Sequence, residues 1–269
     1  SFYSIINLLN FFKPKNFKKN NLISINERIL RLNNKFDKDV PGNYILKEIF
    51  EEAGNLTESC NVIDYKVTQI FRRNNQTLEC DRHFKVFNKF NVIPEYCFSC
   101  YKIQIIAKNV LELIKLYFLF NKFFIEKSIL RKLMIELRPK VKENYKALVY
   151  FSSLNDAFTS FDNLKQIIIE SKIQIKDISI KHGCSEFYEK HPDFKKINYS
   201  GNQPLVYDSN WKKYEKLIDN EDIKKDNKNN LFLEATLNLL TLSDFFIIKN
   251  WLTYAKILGD TSFENIFKI

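Results

Sequence analysis

Residues 101–105 read Tyr101-Lys102-Ile103-Gln104-Ile105, and residues 145–156 read Tyr145-Lys146-Ala147-Leu148-Val149-Tyr150-Phe151-Ser152-Ser153-Leu154-Asn155-Asp156. Both open with the apolar/polar alternation of a half-buried strand. The second then meets a Ser153-x-x-Asp156 capping pair, which opens a helix toward residue 170 with Leu154, Ala157, Phe158, Phe161 and Leu164 expected inward. Between the two stretches, Asn109 and Glu112 form another capping pair. The apolar positions Val110, Leu113, Ile114, Tyr117 and Phe118 then keep the helical period to about Phe124. Lys132–Arg138 alternates again with Leu133, Ile135 and Leu137 on one face, and Asp177–Lys181 carries Ile178 and Ile180. Strand-helix-strand-strand-helix-strand is the order of a ferredoxin-like α+β sandwich, with spatial strand order 4-1-3-2 and two helices on one face.

Within that unit, residues 145–164 resemble the matching stretch of an RNA recognition motif. The resemblance is carried by Lys146-Ala-Leu-Val-Tyr-Phe-Ser-Ser-Leu-Asn-Asp-Ala157. It implies the same βαββαβ topology. The two positions that hold base-stacking aromatics in that family are Lys146 and Leu148 in this sequence.

Outward from the sandwich, residues 1–95 read as a helical region and residues 191–269 as a second one, so the α+β unit is expected over 96–190. Helical patterns run from about 25 to 90, broken at Pro41-Gly42 and Asn74-Asn75. Glu79–Phe90 places Cys80, His83 and Phe87 on one helix face. Toward the C-terminus, helices are expected near Trp211–Leu217 and within Leu231–Leu258, with Leu237, Leu240, Phe245, Ile248 and Trp251 buried. Residues 1–26 hold Lys13, Lys15, Lys18 and Lys19 beside an apolar stripe of Phe2, Ile5, Ile6, Leu9 and Phe12, a pattern for a helix docked on the protein's own core, with a targeting or membrane-surface helix as the alternative. The chain opens at Ser1 rather than Met, so further residues are expected before it.

Composition narrows the function classes. The 25 Phe and 13 Tyr supply a large core, and the five glycines are too scattered for a dinucleotide fingerprint or a phosphate loop. The greasiest stretch, Val110–Ile125, is interrupted by Glu112, Lys115 and Lys122, so an intracellular location, cytoplasm or organelle matrix, is expected. A net charge of +10 raises the expectation of a polyanionic partner, RNA or DNA among them, against the alternative that a chain crowded with Lys, Asn, Ile and Phe carries this charge through compositional bias alone. The sheet face away from the two helices fits such a role, with Lys102, Gln104, Lys132, Met134, Glu136, Arg138, Lys146, Leu148, Tyr150 and Lys181 on it. The competing expectation is that the terminal helices cover that face.

Five cysteines occur, at 60, 80, 97, 100 and 184. An odd count in a Lys-rich chain indicates thiols rather than a disulfide framework. Cys97-x-x-Cys100 precedes the first strand of the sandwich and Cys184 follows the fourth. Antiparallel pairing of those two strands would bring the three to one edge, with Cys80 from the preceding helix as the fourth ligand. Four thiolates suit Zn²⁺ or a [4Fe–4S] cluster. His83, one turn after Cys80, is an alternative nitrogen ligand, and His182 stands beside the site. Gly183 is expected to permit the turn, Glu186 to lie just outside the ligands, and Cys60 to pack as a small hydrophobe. No hydrolase or kinase motif is present, so no catalytic residue is assigned and enzymatic activity is left open. The functional expectation is a metal-binding module that holds nucleic acid or another polyanion. An iron–sulfur redox enzyme or electron carrier, and a scaffold subunit docking on a protein assembly through its terminal helices, are the alternatives.

Overall fold

The computed structural model describes residues 19–36, 40–58, 66–72, 78–123, 129–139, 141–223, 239–264 and 266–267. Among these it forms an α+β fold with one five-stranded antiparallel sheet. The strands are β1 (Gln69–Arg72), β2 (Tyr101–Ala107), β3 (Arg131–Ile135), β4 (Tyr145–Phe151) and β5 (Ile175–His182). Seven helices accompany them: α1 (Lys19–Arg31), α2 (Asn43–Thr57), α3 (Cys80–Phe90), α4 (Val110–Phe123), α5 (Leu154–Glu170), α6 (Lys212–Ile223) and α7 (Leu242–Ile257). Across the sheet the order is β1-β3-β4-β2-β5, every pair antiparallel. No helix among the described residues is long and apolar enough to cross a membrane.

The capping signals act where the sequence places them. Glu112 N donates to Asn109 Oδ1 at 3.0 Å at the head of α4, and Asp156 N donates to Ser153 Oγ at 3.0 Å at the head of α5. Each satisfies a backbone donor that the first helical turn leaves without a partner.

Three expectations need correction. The region read as wholly helical, 1–95, contributes β1, an edge strand paired with β3 in the register Gln69↔Met134 to Arg72↔Arg131. Four residues are too few for periodicity to reveal. Leu137, expected inward, lies beyond the end of β3 and is 42% exposed. Phe158 is 55% exposed, because α5 turns Ala157, Leu164 and Ile168 to the sheet and leaves Phe158 facing outward. The stripe at 2–12 and the buried candidate Leu237 lie outside the described residues.

The main core lies on one side of the sheet. Ile103, Ile105, Leu133, Ala147 and Val149 meet α4 and α5 there, and α1, α2 and α7 join the same cluster. Helix α4 is apolar nearly all round and is buried nearly all round, since α7 covers what the sheet does not. Each such fully buried Leu, Ile, Val or Phe side chain contributes about 1.5–3 kcal/mol relative to exposure. Polar clasps fix the terminal helices on this side. Asn33 exchanges two hydrogen bonds with the backbone of Leu240, and Asn26 Oδ1 accepts from Leu242 N at 3.1 Å. Trp251 Nε1 donates to Thr68 O at 2.8 Å, tying α7 to the segment entering β1. Thus α1, α2 and α7 pack on the helix-bearing side, while the opposite sheet face lines a cavity that the start of α3 borders, with α6 packed on α3.

Candidate metal and anion site

The cavity measures about 1020 Å³. Its floor is the sheet face carrying Lys102, Gln104, Lys132, Met134, Lys146, Leu148, Tyr150 and Lys181, and Cys80, Cys97, Cys100 and Cys184 also line it. The four cysteines reach it from separate places: the start of α3, the 3-10 turn Glu95–Ser99, the entry to β2 and the exit from β5.

The β2–β5 pairing does most of this assembly. Tyr101 stands opposite His182 at the end of the ladder, and the next contact, Gly183 N donating to Cys100 O at 2.7 Å, holds the backbones beside Cys184 and Cys100 together. Gly183 has φ +52°, and a Cβ there would lie 2.4 Å from the Phe194 ring, so only glycine fits both the turn and the space.

His182 keeps the two cysteine-bearing turns in place. Its ring stacks on Tyr101 at 4.4 Å, with Nδ1 2.9 Å from Phe194 O and Nε2 3.0 Å from Phe98 O. With both ring nitrogens engaged by backbone carbonyls, His182 serves in this arrangement as a clamp and not as a ligand. Burial lowers its pKa, while the two carbonyls favour the doubly protonated ring. The clamp was missed in the sequence because Phe98 and Phe194 contribute backbone oxygens, which leave no mark on residue identity. His83 is buried, stacked 5.3 Å from Tyr96, and lines the cavity. Burial, with Arg82 next to it, holds its pKa below the usual imidazole value.

The cysteines carry thiols. Burial pushes the Cys97 pKa well up, and Cys184, Cys100 and Cys80 add to the effect. Burial, followed by Cys184, pushes Cys100 up to about 12. Burial likewise raises Cys184, against Lys102 and Lys132, which favour its thiolate. These thiols are therefore protonated at neutral pH unless a cation offsets the charge. As the side chains stand, no three His, Cys, Asp or Glu groups among the described residues are spaced to hold one ion. Cys97 and Cys184 also pack against an aromatic cluster of Phe87, Phe187 and Phe194. Cys60 lies outside the described residues.

The basic residues divide into two groups. Arg138 binds Glu136 at 2.8 Å and Glu186 at 2.6 Å, and Lys146 lies 3.6 Å from Glu136. Hydrogen bonding from Arg138 holds the Glu136 pKa down at about 2. Burial lowers Lys146, although Glu136 opposes the shift. Lys102, Lys132 and Lys181 form no close ion pair with a carboxylate among the described residues. Burial, followed by repulsion from Lys102, lowers the Lys132 pKa. Tyr150, raised well above the usual phenol value by burial and then by Cys184, tilts against Phe71 at 6.1 Å. Lys146 and Leu148, at the two positions singled out by the RNA-recognition resemblance, are each 7% exposed.

No protein-family model matches the chain, no curated protein matches it and no solved structure matches it.

Proposed function

We propose that this protein is a thiolate metal module that holds an anionic ligand on its basic sheet face. The observation carrying the reading is the convergence of Cys80, Cys97, Cys100 and Cys184, from four separate segments, on the cavity that Lys102 and Lys132 also line. Closing the set requires the thiols to turn toward one another, and the Gly183–Cys100 hydrogen bond already holds two of their backbones together. Four soft sulfur donors take Zn²⁺ in tetrahedral geometry with sulfur about 2.3 Å from the ion, or a [4Fe–4S] cluster, and uptake releases the thiol protons. Lys102 and Lys132 favour the Cys184 thiolate, which suits a metal set with excess negative charge. The topology proposed with this reading is ferredoxin-like for β2–β5 with α4 and α5. The order β5-β2-β4-β3 supports it, with β1 an added edge strand.

Elemental analysis and the visible spectrum of full-length protein purified without oxygen test the proposal. About one zinc, or a cluster with visible absorption, is expected per chain. Cys97→Ser and Cys184→Ser should lower both metal content and melting temperature, while Cys60→Ser should change neither. Metal-free protein from an anaerobic, metal-supplemented preparation would overturn the reading.

A further inference from the structure

Like charges directly opposite one another on paired strands are destabilising. Lys102 stands directly opposite Lys181 in the β2–β5 ladder. Lys132 is on β3, which the single strand β4 separates from β2, and it senses the Lys102 charge. All three line the cavity, and none forms a close ion pair with a carboxylate among the described residues, although Glu136 acts on Lys132 and Glu186 on Lys102 from farther off. The other bases of the sheet floor differ, since Glu136 sits between Arg138 and Lys146 and answers their charge, while Lys142 and Lys195 line the cavity from outside the strands. The sheet floor therefore offers one cationic spot rather than a track of them. A nucleic-acid strand needs a track, because its affinity comes from many phosphates neutralised in succession. The cavity volume, about 1020 Å³, lies at the upper end of the range for small-molecule pockets. Met134, Leu148, Phe71 and Tyr150 add apolar and aromatic surface to the same floor, alongside Gln69 and Gln104.

We infer that Lys102, Lys132 and Lys181 bind the phosphoryl group of a small organic phosphate, whose organic part lies on the Met134–Leu148–Tyr150 surface beside the thiol cluster. The inference rests on the anion-holding part of the reading above and names the ligand class. An anion between Lys102 and Lys181 removes the like-charge conflict that the ladder otherwise contains, and three ammonium donors match the oxygens of one phosphoryl group.

The test is calorimetric titration of the full-length, anaerobically purified protein with phenyl phosphate, and in parallel with a short single-stranded oligonucleotide. Metal content is measured on the same preparations. Phenyl phosphate is expected to bind saturably at one site. Lys102→Met, Lys132→Met and Lys181→Met should each weaken it by about tenfold or more. Lys102→Arg should restore most of the binding, and metal content should stay at the wild-type level throughout. Unchanged phenyl phosphate affinity in the Met variants overturns the inference. So does an oligonucleotide that binds more tightly than phenyl phosphate and depends on the same lysines. Loss of metal from the Met variants also overturns it, since the lysines would then serve the thiolates instead. Lysine-dependent phenyl phosphate binding by a chain that never takes up metal would uphold this inference and sink the metal proposal alone.

Discussion

The two faces of the sheet come from alternate residues of the same strands, and they have opposite chemistry. Ile103, Ile105, Leu133, Ala147 and Val149 look toward α4 and α5 and are almost wholly removed from water. Lys102, Gln104, Lys132, Lys146 and Tyr150, interleaved with them, line the cavity. Where the closed face takes a charge it does so under tight control. Arg131 is 0% exposed, and burial together with Arg72 brings its pKa down to about 9. Close by, Asp244 accepts hydrogen bonds from Arg72 at 2.6 Å and Tyr117 at 3.0 Å. On the cavity face three lysines are carried without an ion-paired carboxylate among the described residues, Glu136 and Glu186 acting on Lys132 and Lys102 only from farther off. Buried apolar packing is concentrated on the first face, and the cavity with its lysines on the second.

The comparison breaks most sharply at adjacent residues. Ile103→Lys would bring an ammonium into the closed face, away from water and carboxylates, at an expected cost of about 4 kcal/mol or more. Failure to fold, or a collapsed urea transition, is the expected result. A near-wild-type transition would mean the face is not closed.

Next in size is the turn that delivers Cys184. Gly183→Ala meets both the left-handed φ and the Phe194 ring and should cost about 2–3 kcal/mol in urea denaturation, with metal content falling alongside. Gly54 provides the contrast. It lies within α2 with nothing within 4 Å of an added Cβ, so Gly54→Ala should stabilise by about 0.5–1 kcal/mol.

Glu136 then tests the ion-paired part of the cavity wall. Its carboxyl is held at about 2, below an ordinary value of 4.5, so its contribution is fully present above pH 4.5 and lost as pH falls toward 2. The expected size is about 2 kcal/mol. The acid limb of a stability–pH curve should flatten in Glu136→Gln, and an unchanged limb would show that the Arg138 pairing is not what holds the carboxylate. The smallest effect belongs to Lys102→Ile, which should change the free energy of unfolding in urea by less than about 1 kcal/mol. A loss as large as that of Ile103→Lys would end the distinction between the faces.

The sequence by itself determined the central strands, the two capped helices and the inward set of β2 and β4, because period-2 and period-3.6 patterns and cap chemistry are local properties. It also placed Cys100 and Cys184 together, since antiparallel pairing of two amphipathic strands fixes where their ends meet. Only the tertiary structure decided that residues 69–72 add a fifth strand and that α1, α2 and α7 pack on the helix-bearing side. Four residues carry no period, and an apolar helix face does not say which apolar surface it will meet. The structure alone separated Arg138 and Lys146, matched by Glu136, from Lys102, Lys132 and Lys181. It alone turned His182 from a neighbour of the site into a clamp on Phe98 and Phe194. Both depend on which groups come within about 3–4 Å across the fold, where hydrogen bonds and ion pairs take effect, and residues far apart in sequence give no local sign of such proximity.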